Sequence, residues 1–249
     1  MILELDAGNT RIKWRQLDEK SGETLAAGVV TDVQALTDGE LATCRPVMVR
    51  MCSVRGAVAA DSIGQWVAAL WGLPLQLATV SRHCAGVTNQ YADMSRMGAD
   101  RWLAMIAAYN RKPGASVVVD AGTALTVDMI AASGLHLGGY ILPGRRLMME
   151  SLEANTLIRL RRRDTGTIEP GNDTDAAVLN GILASEVALL ERVMRTMAAA
   201  GTPLTLFLAG GDAELLASQL GDLAPEIVPT LVLDGLAYAC PAPGLDGGA

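Results

Sequence analysis

The sequence is short of the residues and patterns on which several common chemistries depend. It has two histidines, His83 and His136, far apart in the chain. Its four cysteines, Cys44, Cys52, Cys84 and Cys240, show no C-x-x-C spacing. With no H-E-x-x-H and no paired cysteines, a zinc site is not expected. The cysteine spacing offers no disulfide framework either, so reduced thiols in a cytoplasmic protein are the expected state. Lysines are scarce (Lys13, Lys20 and Lys112), and 20 basic residues face 27 acidic ones for a net charge of −7. That balance argues against nucleic acid as a partner, because affinity there comes mainly from neutralising phosphates. The one basic run, Arg159 with Arg161, Arg162 and Arg163, reads as a solvated or interface segment. No apolar run reaches the roughly 20 residues that span a bilayer. The chain opens directly on a strand and a carboxylate, so no signal peptide is expected. Neither G-x-G-x-x-G nor G-x-x-x-x-G-K-[ST] occurs, which disfavours Rossmann and P-loop nucleotide sites.

What is present is a well-cored α/β pattern built on a repeat. Of the 249 residues, 50% are apolar and 19% charged, enough for two modest domains or one large one. Met1 to Lys13 reads M-I-L-E-L-D-A-G-N-T-R-I-K. Ile2, Leu3 and Leu5 form a buried-strand run, Asp6 to Thr10 are turn formers, and Ile12 and Trp14 begin a return strand. Gly8 is free to take backbone angles that other residues avoid. Such a hairpin can wrap backbone N–H groups around a phosphate, although an ordinary surface hairpin has the same look. A second copy favours the first reading. Ser116 to Thr126 reads S-V-V-V-D-A-G-T-A-L-T, again a strand run followed by D-A-G and a small polar residue. Repetition at about half the chain length points to two like domains. Lys112-Pro113-Gly114 is the expected boundary, giving domains 1–114 and 115–249.

In the first half the pattern predicts a strand over Leu25 to Val30, a short helix over Gln34 to Thr43 and a strand over Pro46 to Val54. A helix over Ala57 to Leu70 and a strand over Leu75 to Val80 follow. Ser81 to Met97 is a long polar connection, more often functional than a short one. It delivers Gly98-Ala99-Asp100-Arg101 to a helix running to Asn110. In the second half, strands are expected at Leu125 to Ile130, Gly138 to Gly144 and Leu204 to Ala209. Helices are expected at Leu147 to Leu157, at Ala176 to Ala200 behind an Asp173 or Thr174 cap, at Glu214 to Leu220 and at Gly235 to Cys240. A loop falls at Thr165 to Asn172, and the tail from Pro241 is expected to fray. Trp14, Trp66, Trp71 and Trp102 read as core.

Two acidic hairpins facing each other would clamp phosphates and a metal, which is what phosphoryl transfer asks of a protein. Gly8, Asn9 and Thr10 would donate to terminal phosphates, and Lys13 would reach their oxygens. Asp6 would help hold Mg²⁺, directly or through water. Gly122 and Thr123 would contact phosphate from the other copy, and Gly210-Gly211-Asp212 would let a base or ribose approach the backbone. Asp100 is the candidate base, with helix capping as its alternative role. Arg101 suits a carboxylate-bearing substrate, because its planar fork pairs with carboxylate oxygens. Tyr91 can hydrogen-bond substrate from the loop, or simply pack.

These motifs resemble a known family. D-A-G-N-T-R-I-K (Asp6 to Lys13), G-A-D-R (Gly98 to Arg101) and D-A-G-T-A-L-T (Asp120 to Thr126) are similar to those of type III pantothenate kinases. So are G-G-Y-I-L-P-G (Gly138 to Gly144), G-N-D-T (Gly171 to Thr174) and A-G-G-D (Ala209 to Asp212). All six occur in this order, from the first residue to about Cys240. The resemblance implies an α/β fold of two related ribonuclease-H-like, actin-like ATPase domains facing across a nucleotide cleft. It implies ATP-dependent phosphorylation of pantothenate, the first step of coenzyme A synthesis, in a cytoplasmic enzyme. It places ATP at Asp6, Ala7, Gly8, Asn9, Thr10, Arg11, Ile12, Lys13 and Thr123. It places pantothenate at Tyr91, Gly98, Ala99, Asp100 and Arg101, with Asp100 as proton acceptor. Asp120 matches a site for a monovalent cation, potassium or ammonium, and Thr174 a substrate contact at a homodimer interface. Two departures stand out: Ala7 where relatives often carry a larger aliphatic residue, and A-G-G where T-G-G is common.

Two other readings use the same motifs. A phosphatase would have Asp100 orient water instead of a substrate hydroxyl. A nucleotide-dependent switch would use the clamp to change shape, although the chain leaves no room for a peptide-binding domain and shows no DNA-reading module.

Overall fold

The computed structural model describes residues 1–37, 40–163, 166–199 and 201–242. The frayed tail expected after Pro241 lies, from residue 243 on, outside the described residues, as do Asp38, Gly39, Asp164, Thr165 and Ala200. The chain forms two compact units. The first takes in Met1–Ala85, Tyr91–Ala107 and the chain from Thr230 onward, and the second Gly86–Gln90 and Ala108–Pro229. The chain therefore passes from unit to unit several times, and its C-terminal helix belongs with its first strand.

The first unit holds β1 (Ile2–Ala7), β2 (Ile12–Leu17), β3 (Thr24–Val30), α1 (Val33–Thr37), β4 (Met48–Ser53), α2 (Ala57–Trp71), β5 (Leu75–Leu77) and β6 (His83–Cys84). Its sheet runs in the order β3-β2-β1-β4-β5. β1 and β2 pair antiparallel, as do β2 and β3, while β1, β4 and β5 are parallel. Every residue of β1 is buried, as a central strand covered on both faces requires. Leu3, Leu5, Val49 and Met51 meet Ile63 and Val67 of α2 in the core. The predicted helix over Gln34 to Thr43 resolves into α1 and a separate 3₁₀ turn, Glu40–Thr43.

The second unit repeats the plan. β7 (Val87–Thr88) precedes α3 (Ala99–Arg111), whose residues as far as Ala107 belong to the first unit. Then follow β8 (Ala115–Ala121), β9 (Ala124–Ile130), β10 (His136–Pro143), α4 (Arg145–Asn155), α5 (Thr174–Ala198), β11 (Leu204–Ala209), α6 (Ala213–Gln219) and β12 (Glu226–Ile227). The sheet order is β10-β9-β8-β11-β12, with β8 antiparallel to β9 and parallel to β11. Strand for strand this is the first sheet again: two like units, as the sequence repeat implied, and of the ribonuclease-H-like plan that the family resemblance implied. The two-residue strand β12 lacked any periodic signal.

α7 (Leu231–Ala239) closes the chain against β1 and β4 in the first unit. It starts earlier than the sequence pattern predicted, at Leu231, and its first three residues, Leu231, Val232 and Leu233, are all buried. Trp14 and Trp102 are core residues. Trp66 and Trp71 are only partly buried and meet edge to face at 5.1 Å. No helix among the described residues is long and apolar enough to cross a membrane.

Candidate active site

The first motif lies where β1 turns into β2. Asp6 and Ala7 end β1, Gly8 to Arg11 form the turn, and Ile12 and Lys13 open β2, with Asp6 opposite Lys13 in the register. Ala7 and Ile12 are fully buried, so their part is to seat the turn, whereas Asn9, Thr10 and Arg11 are exposed at its tip. Gly8 does not use the left-handed backbone that glycine permits; a Cβ there would stand 3.4 Å from the Arg11 carbonyl oxygen. The freedom expected of Gly8 therefore goes unused in this structure.

On its other side β1 pairs with β4, which sets Asp6 opposite Cys52. Cys52 reports what lies around it. Its thiol is held well above the usual range first by burial, then by the negative charges of Asp6 and of Asp100. Two carboxylates almost a hundred residues apart in the sequence thus act on one buried sulfur. Asp100 comes from the first turn of α3, where the helix dipole favours a carboxylate. Its Oδ1 accepts the Arg101 N–H at 2.8 Å. Gly98 makes room for it, since a Cβ on Gly98 would lie 2.5 Å from that same oxygen. Arg101 is buried, donates from Nη1 to the Tyr91 hydroxyl at 2.8 Å, and has its guanidinium 5.7 Å from the Tyr91 ring centre. Tyr91, Gly98, Asp100 and Arg101 therefore form one cluster in the first unit.

The second motif forms a turn in the second unit. Asp120, partly exposed, is the last residue but one of β8, between buried Val119 and Ala121, and pairs with Ala209 of β11. Gly210, at φ +93°, turns the chain so that the Asp120 carboxylate and the Ala121 carbonyl sit where its side chain would be. Gly144 donates its N–H to the Thr123 carbonyl at 3.0 Å, and Asp212 donates its N–H to Ala121 at 3.1 Å. The G-G-Y-I-L-P-G and A-G-G-D motifs, which the sequence showed only as separate stretches, thus brace the D-A-G-T turn from two sides.

Beside that turn lies a charged group the sequence reading missed. Arg145 opens α4, Glu186 lies inside α5, and both are buried. Arg145 Nη1 stands 4.0 Å from Asp212. Burial pushes the Glu186 carboxyl up to about 7, against the opposing pull of Arg145. A signal existed: Glu186 interrupts the apolar face formed by Ile182, Leu183, Val187 and Leu190. Thr174 is elsewhere again, exposed at the start of α5, which Asp173 caps by accepting the Ala176 N–H at 2.8 Å. With Leu157, Arg159 and Arg162, Thr174 lines an open groove of about 800 Å³.

Comparison with known proteins decides the family. The family model described as type III pantothenate kinase matches residues 2–196. A type III pantothenate kinase of Pseudomonas paraeruginosa is 39% identical over 97% of this chain and 99% of its own length. One from Pseudomonas fluorescens matches equally, at 39% identity with the same coverage. The chain belongs to the type III pantothenate kinase family. It is accordingly a kinase, and the resemblance read from six motifs holds along nearly the whole chain. Among solved structures, a candidate 2-dehydro-3-deoxygalactonokinase from Sinorhizobium meliloti has a TM-score of 0.60 at 14% identity, covering 95% of this chain and 97% of its own. At that identity the likeness speaks for the fold alone. The type III pantothenate kinase family model covers Asp6, Asp100 and Asp120 together.

Proposed function

We propose that this chain phosphorylates pantothenate at the expense of ATP, the first step of coenzyme A synthesis, with Asp100 as the base. The reaction is that of its family. What supports Asp100 as the base is its place in the first turn of α3, in the same unit as the hairpin and next to Arg101, which holds the Tyr91 hydroxyl. Asp100 accepts the proton of the substrate hydroxyl while that oxygen attacks the terminal phosphorus of ATP, and ADP leaves. Tyr91, Gly98, Ala99 and Arg101 hold pantothenate, with Arg101 facing its carboxylate. Asp6 to Lys13 and Thr123 hold ATP.

Among the described residues no group of three or more His, Cys, Asp or Glu side chains is arranged to hold a metal. Mg²⁺ would enter with the nucleotide, which needs one or two carboxylates beside the phosphates, and Asp6 would supply a hard oxygen ligand. Mg²⁺ bound there would neutralise charge on the phosphates. Asp120, its carboxylate beside the Ala121 carbonyl, suits a monovalent cation, potassium or ammonium, because both groups offer hard oxygen. A second copy of the chain would meet this one around Thr174, where Leu157 is 96% exposed beside the groove. The enzyme works in the cytoplasm and engages neither nucleic acid nor membrane.

The test is to incubate the protein with pantothenate and Mg-ATP in potassium or sodium and to measure phosphopantothenate, with Asp100→Asn alongside. Product that depends on potassium, and falls by about 10²–10⁴ in the variant, is expected. ATP turnover without phosphopantothenate would overturn the reading in favour of a phosphatase or a nucleotide switch. Light scattering on Thr174→Arg, expected to yield monomer, tests the interface.

A further inference from the structure

The hairpin at Asp6 to Lys13 is not held in shape by its own residues alone. The segment that follows β4 grips it. Val54 donates its backbone N–H to the Ala7 carbonyl at 3.2 Å. One residue later, Arg55 donates from Nε to the Gly8 carbonyl at 2.6 Å. Two successive carbonyls of the D-A-G-N-T turn are thus pulled toward the same two residues. The peptide bonds here are trans, and a trans peptide points its N–H opposite to its C=O. Drawing the Ala7 and Gly8 carbonyls toward Val54 and Arg55 therefore turns the N–H groups of Gly8 and Asn9 the other way. The aim of two consecutive donors, the kind that cradle an anion, is decided outside the turn.

Arg55 is also the costlier half of this grip to replace. Any residue at position 54 other than proline supplies the N–H that Val54 supplies, whereas the contact to Gly8 needs a side chain with a planar fork. Arg55 is half-buried, its backbone N–H reaches the Ser53 hydroxyl at 3.4 Å, and Gly56 follows at φ +82°, which turns the chain sharply into α2. Its Nε hydrogen bond leaves the two terminal amino groups with no hydrogen bond to another described residue. The guanidinium thus brings a fixed positive charge to the hairpin and holds it there.

We propose that Arg55 is a positioning residue for the phosphate turn: it clamps the Gly8 carbonyl and so aims the Asn9 N–H at the terminal phosphate of the nucleotide. This inference rests on the reading of the hairpin as the ATP site. It adds a residue that none of the six motifs contains.

Calorimetric titration of the full chain with Mg-ATP, without pantothenate, tests the clamp apart from turnover. Arg55→Ala is expected to weaken Mg-ATP binding by about 10- to 100-fold, the loss that accompanies one charge-assisted hydrogen bond. In steady-state assays its KM for pantothenate should stay within about twofold of wild type, since Arg55 acts through Gly8 and not through Arg101. Arg55→Lys keeps the charge but not the fork, and should recover only part of the loss. Guanidinium ion at sub-denaturing concentration should restore part of the Arg55→Ala activity. Mg-ATP affinity unchanged in Arg55→Ala overturns the proposal. So does full recovery in Arg55→Lys, or a loss that falls equally on pantothenate and on thermal stability. Wild-type protein that binds Mg-ATP yet forms no phosphopantothenate would defeat the functional reading only, and the binding ratio would still judge the clamp.

Discussion

Each of the two units buries a cluster of charges, and the two clusters are satisfied to very different degrees. In the first unit Glu4, fully buried in β1, accepts from both Arg15 and Arg50. Arg15 reaches on to Asp234 of α7 at 2.5 Å, and Arg50 to the Cys240 carbonyl at 3.0 Å. The network ties the C-terminal helix to the strands beneath it. In the second unit Arg145 and Glu186 are just as deep, but Nε and Nη2 of Arg145 and Oε2 of Glu186 find no hydrogen bond. A buried charge with its partners in place is nearly neutral for stability, whereas one without them is costly. The first cluster is therefore a fastening. The second is a strained set of charges kept beside the D-A-G-T turn.

Breaking the fastening should have the largest effect. Glu4→Gln leaves two buried guanidinium groups short of a counter-charge and should cost about 3–5 kcal/mol, read as a lower midpoint in urea. Removing the second cluster should act in the opposite direction. Arg145→Met combined with Glu186→Leu replaces unsatisfied charges by apolar side chains and should be neutral to stabilising, by about 1–4 kcal/mol. If it destabilises the fold as Glu4→Gln does, the contrast between the clusters is broken.

A subtler test uses pH. The Glu186 carboxyl is raised to about 7 by burial, so the folded state holds a proton that the unfolded chain releases nearer 4.5. The folded state binds more protons between those values, so stability falls as pH rises from about 4.5 to 7 and stays low above it. Because the Asp212 side of the cluster is open to solvent, the change should be about 1–2 kcal/mol, less than the full shift implies. Melting curves of Glu186→Gln should lack this slope. At the surface the effects should be smallest. Asp173→Ala should cost about 1 kcal/mol through the lost α5 cap, and Arg162→Ala, which breaks its ion pairs with Asp173 and Asp175 through an exposed guanidinium, less than about 1 kcal/mol at moderate salt.

Most of the fold was legible because it is written in local terms. Strand runs ending in D-A-G announced both hairpins, and Gly72 with Pro74 marked the C-terminal end of α2. The six motifs pointed to the family that the comparisons establish. The less legible elements were the weakly periodic ones: β12, the two-residue strands β6 and β7, and the division of the 34–43 segment. Among candidate site residues, Tyr91 and Arg101 do meet. Arg55 stayed hidden because nothing in V-R-G says which carbonyl a guanidinium will find. Glu4 and Arg50 stood in plain view as charges inside apolar runs, yet their partnership depends on strand register.

The sequence by itself determined that there are two like units, where their hairpins turn, and which residue types line them, since strand periodicity and turn chemistry act over a few neighbours. Only the tertiary structure decided that Asp6 and Asp100 act on one thiol, that Arg55 grips the Gly8 carbonyl, and that one charged cluster is satisfied and the other is not. Those outcomes depend on parallel pairing and helix packing between distant segments, and hydrogen bonds are made or missed there within a fraction of an ångström.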